Sequence, residues 1–236
     1  MPINSPKFLY AHFIYPLTIL IVLSTLFNLL DIDKILADYL YRLQGNSWAL
    51  KDNWITEQVL HKGGRIASLL LALVVLGLLV ASYGLSNWIQ HRKPLVYLFA
   101  AIAGNSLLVS LLKSFLAVSC PWEFQRYGGS LNYHTVFEQL SLRNGGGCFP
   151  AGHASAGYAW IALYFFWLGH ASNLRWAGLA IPLVAGIAFG FAQQVRGAHF
   201  ISHDVWTLAI CWFYSLVLYL LMFKKPAANK LQLGFV

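Results

Sequence analysis

Residues 66–86 read IASLLLALVVLGLLVASYGLS, an uninterrupted run without one charged side chain. An α-helix rises about 1.5 Å per residue and the hydrocarbon core of a bilayer is about 30 Å thick, so about 20 such residues make one crossing. Segments 8–30, 94–118, 154–171, 176–196 and 204–223 have the same character. Of the 236 residues, 58% are hydrophobic and only 10% are charged, whereas a soluble domain carries about 25% charged residues. The composition therefore excludes an ordinary soluble domain. It predicts an all-α integral membrane bundle of six transmembrane helices, folded as a single domain over residues 1–236. The first apolar segment is too long for the core of a cleavable leader and lacks a small-x-small cleavage site, so it reads as the first span.

Charge is scarce and therefore placed. The formal net charge of +8 does not point to nucleic acid, because the only basic pairs, Arg92-Lys93 and Lys224-Lys225, flank apolar spans and set topology there. Lys7, Arg92, Lys93, Arg175, Lys224, Lys225 and Lys230 occupy short connectors or ends that hold no acid, and the positive-inside rule puts these in the cytoplasm with both termini. The eight acidic residues then fall on the other side. Of the two longer outer connectors, 31–65 carries Ile32, Ile35, Leu36, Tyr39, Leu40 and Leu43 at helical spacing. That pattern fits either an amphipathic helix lying on the membrane surface or a cap over the bundle. The other connector, 119–152, is rich in glycine and predicts irregular backbone.

Three clusters of chemically capable residues meet on this outer face. They are Lys113 with Cys120-Pro121, Pro150-Ala151-Gly152-His153, and Arg196-Gly197-Ala198-His199 with His203-Asp204. Ionisable groups at the ends of spans are functional candidates by default. His199 reads as a nucleophile: a neutral imidazole can attack phosphorus, with Asp204 to hold its tautomer and stabilise positive charge. His153 reads as the general acid for the leaving oxygen and then the base for water. It follows a Pro-Ala-Gly turn at a helix start, where Ala151 and Gly152 can bring backbone N–H groups to an anion. Lys113, Arg196 and, on the loop, Arg126 are candidate phosphate ligands, the guanidinium forks being suited to phosphate oxygens. His203 is a possible accessory, as phosphate ligand, substitute for Asp204 or loop hydrogen-bonder. His12, His61, His91, His134 and His170 lack such company in the sequence. The excess of cations and the absence of a zinc-type spacing predict a reaction without metal or other cofactor. Cys120 and Cys148 flank the second outer connector. A disulfide between them would close it and stabilise the fold by about 3 kcal/mol, two free thiols being the alternative.

These clusters resemble the motifs of the type-2 phosphatidic acid phosphatase family, lipid phosphatases related to the vanadium haloperoxidases. The family carries Lys-x6-Arg-Pro, Pro-Ser-Gly-His and Ser-Arg-x5-His-x3-Asp. Lys113 and Pro121 match the first motif, Pro150 with Gly152-His153 the second, and His199 the third. Cys120 stands where the first motif has Arg, Ala151 where the second has Ser, and Gln193 where the third has Arg. Asp204 lies one position late, with His203 in its place. Arg196 and Arg126 are candidates for the displaced arginines. The resemblance implies a bilayer-bound, metal-independent phosphatase. It would hydrolyse a lipid phosphate or diphosphate such as undecaprenyl diphosphate, phosphatidylglycerol phosphate, a lipid A phosphate or phosphatidic acid. The reaction would proceed through a phosphohistidine at the periplasmic face of an inner membrane. A phosphotransferase on the same scaffold, a non-catalytic lipid-phosphate binder and a transporter are the competing readings.

Overall fold

The computed structural model describes residues 3–143, 145–169 and 173–224, and every regular element among them is helical. His170, Lys225, Lys230 and the end of the fourth predicted span lie outside the described residues. Four long helices α1 (Pro6–Leu29), α3 (Ile55–Gly84), α4 (Ser86–Phe115) and α7 (Leu174–Val195), with α8 (Ile201–Phe223), are long and apolar enough to cross a membrane. They make the chain a multi-pass membrane protein. Between them lie α2 (Ile32–Leu43), α5 (Val136–Leu142) and the apolar α6 (Ser155–Leu168).

Five of the six predicted segments are helices long enough to span, and the fourth, α6, is shorter. Its 14 described residues rise about 21 Å, less than the hydrocarbon core of about 30 Å. It is enclosed. It packs against α4, α7 and α8, and its Ala159, Ala162 and Phe165 join Tyr97, Ala101 and Leu216 in the main core. The outer helices instead turn Leu, Ile and Val outward, as in Leu70, Leu71 and Val80 of α3. Lipid tails are as apolar as these side chains, so association must come from close packing and buried hydrogen bonds. Gly157 of α6 supplies the first, since a Cβ there would lie 2.3 Å from the backbone N of Gly186 on α7. Asn105 of α4 supplies the second, donating to Ser215 Oγ on α8 at 2.9 Å.

The spans alternate in direction, so the end of α1, the start of α3, the end of α4, the start of α6, the end of α7 and the start of α8 share one end of the bundle. There α2 lies across α7 and α8. It buries Asp33, Ala37 and Leu40 while Ile35, Tyr39 and Leu43 stay exposed, so it caps the bundle and also presents an apolar stripe. Asp33 accepts hydrogen bonds from the backbone N–H (2.9 Å) and the hydroxyl of Ser202, capping α8 from outside its own chain segment. Over the same end folds the 119–152 connector. It is closed by a disulfide between Cys120 and Cys148, whose Cα atoms are 5.3 Å apart.

Candidate active site

His199 sits in the two-step reversal between α7 and α8. Helix α7 ends through Gly197, whose φ of +72° is costly for any residue with a Cβ. Its carbonyl accepts from Trp122 of the connector at 3.1 Å. The chain then runs extended at Phe200 and enters α8 at Ile201. This turn holds His199 almost fully buried, with Nδ1 3.4 Å from Nδ1 of His203. Burial, then His203, Lys113 and His153, push its pKa well below the ordinary histidine value, opposed by a backbone hydrogen bond at Cys148. A neutral imidazole is the form a nucleophile requires.

His153 lies in the turn before α6, its ring centroid 6.2 Å from that of His199. An attacking nitrogen stands about 3–3.5 Å from its target and a proton donor about 2.6–3.2 Å from its acceptor. The two rings are within reach of one phosphoryl group, although His153 lines the cavity beside it and His199 does not. Burial first, then the charges of His61, Lys113, Arg196 and Arg65, lower its pKa to about 3. Lys113 reaches the same turn: a Cβ on Gly152 would lie 3.7 Å from its Nζ. Beside them, between α3 and α4, is a cavity of about 530 Å³. Its basic end is formed by Arg65, Lys113, Gly152 and His153, and its bore is lined by Leu69, Leu73, Leu76 and Phe99. Neither Arg65 nor Lys113 has an ion-pair partner among the described residues.

Four sequence expectations meet a different geometry. Asp204 is not brought to His199. Five residues on, it faces α7, where it accepts from Gln194 Nε2 at 2.5 Å and occupies the space that the absent side chain of Gly190 leaves. His203, in the first turn of α8, is the side chain that meets it. Arg196 does not line the cavity. It is buried and held by the Lys51 carbonyl (2.6 Å), Gln193 Oε1 (3.1 Å) and the Glu57 carboxylate. Arg126 is paired with Asp38 of α2, on the exposed side of the connector. The Asp38 carboxyl is held below its usual range chiefly by that hydrogen bond. Ala151 is buried, with its N–H directed at the His203 carbonyl at 3.5 Å and its own carbonyl accepting from Thr207.

Three residues were missed. Arg65 lines the cavity, His61 Nε2 contacts His153 Nε2, and Glu57 lies 3.1 Å from His61 Nδ1. Helix α3 starts at Ile55 rather than near residue 66, its first turns wound as a π-helix over Ile55–Gly63, a winding that recurs at functional sites. The available signal was the four-residue spacing of Glu57, His61 and Arg65, which puts them along one side of a helix. Among the described residues, the His/Cys/Asp/Glu group close enough to share a metal ion is Cys120, Glu123 and Cys148. Two of its ligand atoms are joined as the disulfide, and the third accepts from the Cys120 N–H at 2.7 Å, so this group is not a metal-binding set.

Comparison with known families finds a match to the PAP2 superfamily over residues 94–227. The matched stretch contains Lys113, His153, His199, His203 and Asp204 but ends short of Glu57, His61 and Arg65. No curated protein and no solved structure matches the chain.

Proposed function

The chain belongs to the PAP2 superfamily, and on that premise we propose that it hydrolyses a lipid phosphate or diphosphate monoester through a phosphohistidine on His199. The observation that carries the reading is the cavity. One end offers two unpaired cations and His153, and the remainder is apolar, a division that fits an anionic head on a hydrocarbon tail. From Arg65 to Leu76 along α3 the bore runs about 16 Å, and its volume falls within the range of about 300–1,000 Å³ usual for ligand sites.

The geometry supports the following sequence. The phosphoryl oxygens lie between Lys113 and Arg65. A ring nitrogen of neutral His199 attacks phosphorus, and the bond to the leaving oxygen breaks as that oxygen takes a proton from His153. Water then gives a proton to His153 and attacks phosphorus, and His199 recovers its lone pair. His153 is neutral in the empty site, and a bound phosphate anion favours its charged form, so the working proton arrives with the substrate. His203 holds the His199 ring. We further infer that α6 makes a sixth traverse inside the bundle, with the site at the outer face of a bacterial inner membrane and both termini cytoplasmic. The enclosure of α6 and the even alternation of helix directions support this.

The test is phosphate release by detergent-purified protein from a panel of lipid phosphates and diphosphates with EDTA present. Wild type releases phosphate and His199→Ala does not. Lys113→Ala and Arg65→Ala raise KM for the same lipid by tenfold or more, since each removes a charge-assisted phosphate contact worth about 1.5–3 kcal/mol. Folded wild type that binds lipid phosphate but releases none would replace the hydrolase with a binding protein.

A further inference from the structure

Glu57 and His61 lie before the stretch that matches the family, yet the fold inserts them behind His153. The His61 and His153 rings are 3.9 Å apart and touch through their Nε2 atoms. On its other side His61 Nδ1 lies 3.1 Å from Glu57 Oε2, an ion-pair contact that lacks hydrogen-bond geometry. Glu57 is held in turn by Lys62 at 3.2 Å and by the buried Arg196. His153 Nδ1 is buried and has no partner.

The partners decide the tautomers. The negative charge of Glu57 beside Nδ1 favours the His61 proton there, which leaves a lone pair on Nε2. That lone pair accepts from Nε2–H of His153, which leaves Nδ1 of His153 to meet the substrate. The charged groups acting on His153 from α3, α4 and the end of α7 are otherwise cations, namely Arg65, Lys113 and Arg196. Glu57 is the carboxylate that reaches it, through His61.

We propose that the Glu57–His61 pair positions His153 and stabilises its imidazolium, a partner for the acid–base group supplied from outside the family's matched segment. The proposal rests on the hydrolase reading above. In the first step Nδ1–H of the His153 imidazolium passes its proton to the leaving oxygen as the P–O bond breaks. In the second, Nδ1 takes a proton from the attacking water as the P–N bond breaks. The His153–His61 hydrogen bond is kept throughout, and Glu57 carries no proton at any stage. Glu57 and His61 are positioning residues, and Arg196 and Lys62 anchor Glu57.

The experiment compares wild type, His61→Ala, His61→Gln and Glu57→Gln on two phosphate monoesters, a long-chain alkyl phosphate and p-nitrophenyl phosphate. The alkyl ester needs its leaving oxygen protonated and the nitrophenyl ester does not. General acid catalysis contributes about 10²–10⁴-fold, so partial loss should lower kcat/KM for the alkyl ester by about 10–100-fold. For the aryl ester it should stay within about threefold of wild type on the same reasoning. The alkaline limb of kcat for the alkyl ester should move to lower pH. His61→Gln, whose amide oxygen can accept the same hydrogen bond, should recover part of the loss, and it keeps the test in hand if His61→Ala does not fold. Equal losses on both esters, or none on either, in folded variants would overturn the proposal while leaving the hydrolase reading intact. A folded wild type that turns over neither ester would overturn both.

Discussion

Replacing Arg196 by glutamine separates a phosphate ligand from an internal anchor. In the structure the Arg196 side chain is 8% exposed, against 18% for Glu57, and all three of its contacts are to protein. Breaking a buried pair by removing one partner costs about 3–5 kcal/mol, because the other charge is left uncompensated. Lys62 still pairs with Glu57 at 3.2 Å, which brings the expected loss down to about 2–3 kcal/mol. For a chain of this size that is a fall in Tm of about 4–12 °C. The double variant Arg196→Gln with Glu57→Gln removes both charges, so it should regain at least half of that fall. The assay is thermal unfolding of the four proteins in one detergent, with KM for a lipid phosphate measured beside it. KM of Arg196→Gln should stay within twofold of wild type. An Arg196→Gln protein as stable as wild type with KM raised tenfold would refute this reasoning and return Arg196 to the phosphate site.

Asp33 predicts a pH effect of defined sign. Burial, opposed by the two Ser202 hydrogen bonds, raises its pKa to about 6, so the folded state holds the proton more tightly than the unfolded state. Its contribution is present below about pH 4 and is lost as pH rises through about 6, a change of about 3 kcal/mol for a two-unit shift. Asp33→Asn should therefore show a shallower fall in Tm between pH 4 and 7 than wild type, and identical slopes would count against the assignment. The Cys120–Cys148 bridge closes a loop with a sequence separation of 28 residues, for which chain entropy gives about 3.6 kcal/mol. Reduction should lower Tm and, because Cys148 lies five residues before His153 in the connector that leads to it, should also lower activity. Thiol-treated enzyme with unchanged Tm and turnover would sink that expectation.

Much was legible from local composition. Apolar runs of about 20 residues must be helices in a bilayer, because no other backbone satisfies its own polar groups there, and each outer run lies largely within a helix, α3 and α4 beginning well before theirs. That His153 and His199 would meet was legible because both lie beside turn residues at span ends predicted to share one face. The arginines were not. Which guanidinium binds phosphate depends on which carboxylate claims it first: Asp38 takes Arg126 and Glu57 takes Arg196. Both carboxylates come from connectors far away in sequence.

The sequence by itself determined the helical membrane class, the family motifs and the pair of histidines, since these follow from hydropathy and from spacing within a few residues. The tertiary structure alone decided the surroundings of that pair. It withdrew Asp204 into α7 and set His203 against His199. It brought Arg65 to the basic end of the cavity and His61, backed by Glu57, to His153, across 92 residues of chain. The physical reason is that charge in a membrane bundle is stabilised by whichever opposite charge the packing delivers. Helix packing is set by small residues such as Gly157 and Gly190, whose neighbours in space are not their neighbours in sequence.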